Sequence, residues 1–322
     1  LFPARRGLKR LTCAMLVLMC ATHTYAGPRE QAKRIHDRIA GVPPSATVLD
    51  SMSAQISGGN ALAAAMAATD APEFYNVTLK NFATPWSNEA GDIFAPLNDY
   101  TATVIGMVRD ESDFRTILSA DVVYVGSGSG IPAYSASSNA HYAALESQGA
   151  DLSTVLSPVT QSSVSPLPAT ATAGVMTTRA AAKAFLIDGT NRAMFRFTMI
   201  NHMCRDMEQV ADTSRAPDRI RQDVSRSPGG DSRVFLNNCI GCHSGMDPLI
   251  QSFAYYDYQY DDVADPDGEN GTIQYNDQGE TDPQTGTRVV AKYFNNATTF
   301  EHGFATPDDA WVNYWRAGQN AL

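Results

Sequence analysis

Apolar residues recur at intervals of three and four along much of the chain, the period of a helix that buries one face. From Pro28 to Ile39 the sequence is charged, with Ile35 and Ile39 four apart, and Gly41-Val42-Pro43-Pro44 stops the pattern. Ser45 then caps a second helix carrying Val48, Leu49 and Met52, and the alanine run Ala61 to Ala68 makes a third. Asp70-Ala71-Pro72-Glu73 restarts a helix through Phe74, Val77, Leu79 and Phe82. Tyr100 to Val108 predicts a helix, although its Thr and Val content leaves a strand open. A short helix over Asp113 to Leu118 leads into the apolar run Val122 to Val125, and Gly126-Ser127-Gly128-Ser129-Gly130 follows as a flexible surface loop. A phosphate cradle would need its last glycine one position later and a helix directly after it, where Ile131-Pro132 stands.

The second half opens with a helix over Thr178 to Leu186 and a longer one from Asn191 to about Val210. Met194, Phe197, Ile200, Met203, Cys204, Met207 and Val210 form the apolar face of the longer helix. Asp231 caps a helix over Ser232 to Cys242. An aromatic run, Phe253 to Tyr260, precedes Asp261, Asp262, Asp265, Asp267 and Glu269. Counted from Asp265, Asn270 and Asn276 occupy the positions where a calcium loop needs Gly and Glu, so this reads as an acidic turn. Gly271 to Tyr275 and Thr287 to Tyr293 alternate as the two strands of a small hairpin around Asp277 to Gly286. Thr306-Pro307-Asp308-Asp309 starts a last helix with Trp311, Tyr314, Trp315 and Gly318 on one face. The fold class is therefore mainly α. Residues 27–156 form an N-terminal helical region. Residues 157–175, Ser-, Thr- and Pro-rich and uncharged from Ser157 to Gly174, form a linker or loop, and 176–322 form a second helical region with a small β-hairpin.

Composition adds a compartment. Arg5, Arg6, Lys9 and Arg10 precede an apolar run from Leu11 to Ala21, and Thr24-Tyr25-Ala26 offers small residues for cleavage, so residues 1–26 read as a secretory signal peptide. The alternative is a lipid anchor at Cys20, for which Met19 is a poor preceding residue. The expected location is periplasmic or extracellular, with contact to a membrane only through such an anchor. The chain opens on Leu1 and stops in a helical pattern at Leu322, the expectation being a piece of a longer protein. Removing the signal takes four of the 24 Lys and Arg and none of the 34 Asp and Glu, leaving 20 against 34, a net charge of −14. So acidic a surface disfavours nucleic acid and anionic membrane and suits a basic protein partner.

The five cysteines sort by place: Cys13 and Cys20 lie in the signal, and Cys204 stands alone, read as a small buried hydrophobe. Cys239-Ile240-Gly241-Cys242-His243 is the pattern for covalent attachment of a c-type haem, whose thioether bonds form at the two thiols while the adjacent imidazole takes the proximal iron position. A zinc site would need another closely spaced pair of ligands, and a redox dithiol a βαβ context; neither is found. A ligating histidine needs an acceptor for its second ring nitrogen, and the Pro248 carbonyl and Asp247 carboxylate are the two within reach. For the sixth iron ligand Met203 is favoured, with Met207, His202 and His302 also open; Met246 stands too near His243 to reach the opposite face.

The haem segment, followed at once by Met246-Asp247-Pro248-Leu249 and then Tyr256-Asp257, resembles that of the large planctomycete-type secreted cytochrome c proteins built from consecutive domains of unknown function. Asp113-Phe114-Arg115 through Leu118-Ser119-Ala120-Asp121 and Asp37-Arg38-Ile39-Ala40-Gly41-Val42-Pro43-Pro44 resemble earlier segments of the same proteins, in the same order. The resemblance implies a mostly helical exported protein with a cytochrome-c-like haem region, one covalent haem c, and electron transfer to a redox partner protein. It lacks the extra haem motif that many such proteins carry. The rival expectations are a peroxidase- or oxygenase-like haem enzyme with an open sixth position, and a surface assembly protein in which the haem is mainly structural.

Overall fold

A computed structural model describes residues 26–187, 191–211, 220–221, 224–281, 286–289, 306, 308–312 and 317–319. Residues 1–25, which hold Cys13, Cys20 and all but the last residue of the expected signal peptide 1–26, and His302 lie outside the described residues. The chain divides into two compact units between Phe74 and Tyr75.

The first unit holds α1 (Pro28–Ile39), α2 (Ala46–Ser57) and α3 (Ala61–Thr69). Ser45 and Asn60 cap α2 and α3 through hydrogen bonds from Val48 N and Ala63 N, satisfying donors that a helix start leaves orphaned. Ala32, Met52, Ala64 and Ala68 are its buried centre, with Ile35, Ile39, Val48 and Leu49 packed around them. His36, also buried, donates from Nδ1 to the Val42 carbonyl at 2.8 Å and so fixes the turn that follows α1.

The second unit is built on α4 (Asp99–Arg109), whose residues Asp99 to Met107 are all buried. Burial on every side explains why the sequence pattern alone left helix and strand open: no polar face marks the period. Beside it runs β1 (Val123–Gly126), paired antiparallel with β2 (Leu156–Val159), and Gly106 lets the helix approach, since a Cβ there would fall 2.0 Å from the Tyr124 ring. α5 (Ala140–Ser147) follows β1 in sequence, and its His141 accepts from Gly126 N at 2.9 Å through Nε2 and donates from Nδ1 to the Pro132 carbonyl at 2.7 Å. The Gly-rich loop is thus pinned at its start.

Of the two expectations for residues 157–175, linker or loop, packed loop and short turns are what they form, and the division between the units falls upstream of them, between Phe74 and Tyr75. The segment runs through β2 and then along the body of the second unit, with Leu167, Ala171, Ala173 and Val175 buried. Asp121 accepts from Ser162 N at 2.8 Å, and Gly174 N and Val175 N donate to Ala120 and Ile117 carbonyls. Small uncharged residues here serve close packing, which composition does not distinguish from a tether. α6 (Arg179–Phe185) starts where buried Asp99 accepts from both Arg179 N and Ala180 N, so one carboxylate joins the N-terminal ends of α4 and α6.

α7 (Arg192–Met203) is shorter than the pattern predicts. It ends at Cys204, which is exposed and left-handed at φ 52°, so Cys204 is not a buried hydrophobe; the chain re-forms one helical turn at Met207–Val210. The buried face centres on Met194, Phe195 and Thr198, because the Thr198 hydroxyl donates to the Met194 carbonyl and needs no solvent. α8 (Ile240–Ile250) carries the cysteine motif. Past it, β3 (Tyr256–Gln259) pairs antiparallel with β4 (Thr272–Tyr275), Tyr256 opposite Tyr275. The small hairpin therefore exists with a different partner: β4 takes the aromatic run, while β5 (Glu280–Thr281) pairs with β6 (Arg288–Val289). Where the last helix is expected, Ala310–Val312 (β7) and Ala317–Gln319 (β8) are instead two antiparallel strands with Trp311 opposite Gly318, while Tyr314 and Trp315 lie outside the described residues. No helix of the described residues is long and apolar enough to cross a membrane. The protein is mainly α with small antiparallel strand pairs.

Candidate functional site

Asp231 caps the helical stretch that carries the motif, accepting from Arg233 N at 2.9 Å as the sequence predicts. The stretch does not stop at Cys242. After one α turn (Ser232–Val234) it widens into a π turn over Phe235–Cys239, resumes as α8 and continues through Pro248 to Ile250. The motif thus lies inside a helix, at the seam where an inserted residue is absorbed. Cys239, Cys242 and His243 stand at i, i+3 and i+4 across that seam, a spacing that shares one side of a helix. Burial changes along the same helix: residues 239–243 are half-buried, and Ser244 to Pro248 are buried. Upstream, Val234 and Leu236 expose apolar side chains.

All three described cysteines are free thiols. Burial pushes the Cys242 thiol up, and the Glu208 and Asp206 charges add to the effect, so it stays protonated at neutral pH. The described residues gather no group of three or more His, Cys, Asp or Glu placed to hold a metal ion.

His243 Nδ1 lies 3.1 and 3.3 Å from the two oxygens of Asp247, one helical turn on. Of the two acceptors the sequence offers, the carboxylate is the one used. Asp247 is fully buried and takes three further hydrogen bonds: from Arg192 Nε at 3.1 Å, Arg192 Nη2 at 3.3 Å and Arg221 N at 3.2 Å. Burial alone would raise its pKa, but the His243 hydrogen bond and the Arg192 charge outweigh it and hold the carboxyl below its ordinary value. No protein group among the described residues bonds His243 Nε2, and the side chain is about one-fifth exposed.

Arg192 comes from α7, whose start is fixed by buried Asn191. This residue is left-handed at φ 61° and donates from Nδ2 to the Phe253 and Tyr256 carbonyls at 2.5 and 2.9 Å. The apolar pattern marks Asn191 only as a helix start and gives Arg192 no role. A signal was present, because a cation in the first turn of a helix opposes the macrodipole and needs an anion from elsewhere.

Beside Cys242 opens a hollow of about 630 Å³, lined by Arg192, Arg196, Phe197, Met207 and Met246 among others. Arg196 holds Asp206 through two bonds of 2.9 and 2.8 Å, which with the Met207 N–H bring that carboxyl down to about 2. Met203 lines a different, more apolar hollow of about 350 Å³ with Phe195, Met199, Leu249 and Phe253. His202 faces inward: Tyr100 Oη lies 2.7 Å from its Nε2, Trp86 packs edge-on against its ring, and burial lowers its pKa to about 4. The two methionines in the hollow beside Cys242 are therefore Met207 and Met246.

Compared with known proteins, the sequence matches no family model, and no curated protein or solved structure is similar to it.

Proposed function

We propose that this chain is an exported c-type cytochrome that carries one haem covalently through Cys239 and Cys242, with His243 as the proximal iron ligand, and passes electrons to a partner protein. One observation carries the reading. Two free thiols and an imidazole share the i, i+3, i+4 spacing on a half-exposed helical stretch, and the imidazole is oriented by a buried carboxylate with Nε2 left open. The residues fit the group, since exposed Val234 and Leu236, and Phe197, Met207 and Met246 among the charged side chains that line the hollow beside Cys242, give apolar surface for a porphyrin to cover. A haem held there supplies a one-electron couple between ferric and ferrous iron.

The chain's own part is fourfold. Cys239 and Cys242 fix the group, His243 presents a lone pair to it, and Asp247 keeps the proton on Nδ1. The acidic surface draws a basic redox partner. Resemblance to the planctomycete-type secreted cytochromes and the signal-like residues 1–26 support the same reading.

The test is expression with the c-type maturation machinery, followed by intact mass and visible spectra. The expected result is one covalent haem on the wild type, its loss in Cys239→Ala and Cys242→Ala, and its retention in Cys204→Ala. A wild-type chain at its unmodified polypeptide mass refutes the proposal. A second reading, a peroxidase-like haem enzyme, is favoured by Asp247, because a carboxylate acceptor makes the imidazole a stronger donor to iron. A high-spin ferric spectrum with ready cyanide binding would select it over the carrier.

A further inference from the structure

We propose that Asp247 and Arg192 form a pair that sets the donor strength of His243, the carboxylate raising it and the guanidinium limiting the rise, so that the bound iron has a low reduction potential governed by their balance. The inference rests on the haem reading above and goes beyond it in naming the residues that tune the couple.

The four described histidines provide an internal comparison. His36 and His141 give their Nδ1 protons to the neutral carbonyls of Val42 and Pro132, and His202 meets the Tyr100 hydroxyl. His243 alone among them faces a carboxylate. A carbonyl would orient the ring equally well, so orientation does not by itself account for a buried anion at this place. An anion at Nδ1–H shifts electron density through the ring toward Nε2, and a stronger donor stabilises the more highly charged ferric iron.

A buried carboxylate needs compensation. Arg192 supplies it from a second helix, spanning both oxygens at 3.1 and 3.3 Å. Charge-assisted N–H···O bonds are ordinarily about 2.7–2.9 Å, so the fork is a loose one and leaves part of the anionic charge available to His243. Arg221 N adds a neutral donor on Oδ2. Arg192 also lines the hollow beside Cys242, so its charge acts on both the carboxylate and any group held there.

The pair predicts shifts of opposite sign. Wild type, Asp247→Asn and Arg192→Gln are matured with haem in the cell. Each is checked for covalent haem by intact mass and for helix content by circular dichroism, then titrated by spectroelectrochemistry. Asp247→Asn, which keeps an oxygen facing Nδ1 but removes the charge, is expected to retain haem and helix content and to favour ferrous iron at least tenfold, a rise of about 59 mV for one electron. Arg192→Gln is expected to lower the midpoint. A haem-loaded Asp247→Asn with the wild-type midpoint, or two shifts of the same sign, overturns the inference while leaving the haem reading intact. If Asp247→Asn does not mature, Arg192→Gln decides alone, and a midpoint at or above that of the wild type overturns the pair. A wild type without covalent haem removes both the reading and the inference.

Discussion

Gly174 and Gly149 share a left-handed backbone, at φ 55° and 60°, yet the same substitution should have very different effects at the two positions. At Gly149, on an exposed turn, a Cβ meets nothing within 4 Å, so alanine incurs only the left-handed strain, about 1–2 kcal/mol. At Gly174 the Cβ would lie 1.9 Å from the Ile117 carbonyl oxygen, where ordinary contact begins at 3.4 Å. One of the two backbones must move. That movement breaks the Val175 N–Ile117 O bond of 3.0 Å and the Gly174 N–Ala120 O bond of 2.8 Å. Each broken bond costs about 1 kcal/mol, and the overpacking adds about 1–3 kcal/mol. With the same left-handed strain of about 1–2 kcal/mol, Gly174→Ala is therefore expected to destabilise by about 4–7 kcal/mol, a large part of the ~5–15 kcal/mol that holds a typical domain together. With a urea slope of about 3 kcal/mol per molar, the midpoint falls by more than 1 M for Gly174→Ala and by about 0.5 M for Gly149→Ala. Fluorescence-detected urea titration of both variants measures this. Equal shifts would mean that residues 157–175 are not packed on Ile117 and Ala120, and the linker reading would return.

Other outcomes follow from the same structure. His202 is neutral in the folded chain with a pKa near 4, below its unfolded value of about 6.5, so the unfolded chain binds the extra proton. Its contribution to stability is present above pH 6.5 and is lost as pH falls toward 4, by at most ~3 kcal/mol; urea midpoints of His202→Phe measured across that range should fall less steeply. In the haem-loaded protein Met207→Leu is expected to alter the spectrum if a methionine sulfur closes the sixth position, while Met203→Leu, in the other hollow, leaves it unchanged; the reverse result restores Met203. Association with a basic redox protein should slow steeply as salt rises, as read by stopped-flow rates, and a salt-independent rate would refute electrostatic attraction.

What was legible in the sequence was local. Ser45 and Asp231 cap helices through their own side chains, and the mainly α class follows from the helical period. Partners distant in sequence were not legible. β4 alternates well enough for a strand, but the identity of its neighbour depends on Tyr256 and Tyr258 reaching the interior, which no local pattern states. Trp311 and Gly318 are seven apart, which places them on one helix face or opposite one another in two antiparallel strands with equal ease, and the strand pairing is what forms. At the candidate site the motif and the acceptor Asp247 were readable within nine residues of one another. Arg192, 55 residues upstream, becomes a partner only once α7 lies beside α8.

The π turn at Phe235–Cys239 divides one continuous helix into two registers. Downstream, the proposed haem attachment and the His243–Asp247 bond both depend on spacings of three and four, so on that proposal no residue can be gained or lost between Cys239 and Asp247. Upstream, the turn already holds one residue more than an α-helix requires, so removing Asn237 or Asn238 would return the helix to its regular pitch and leave the Asp231 cap and the motif joined. The stretch just before the cysteines is thus where this chain's length is free to vary, and the stretch just after them is where it is not.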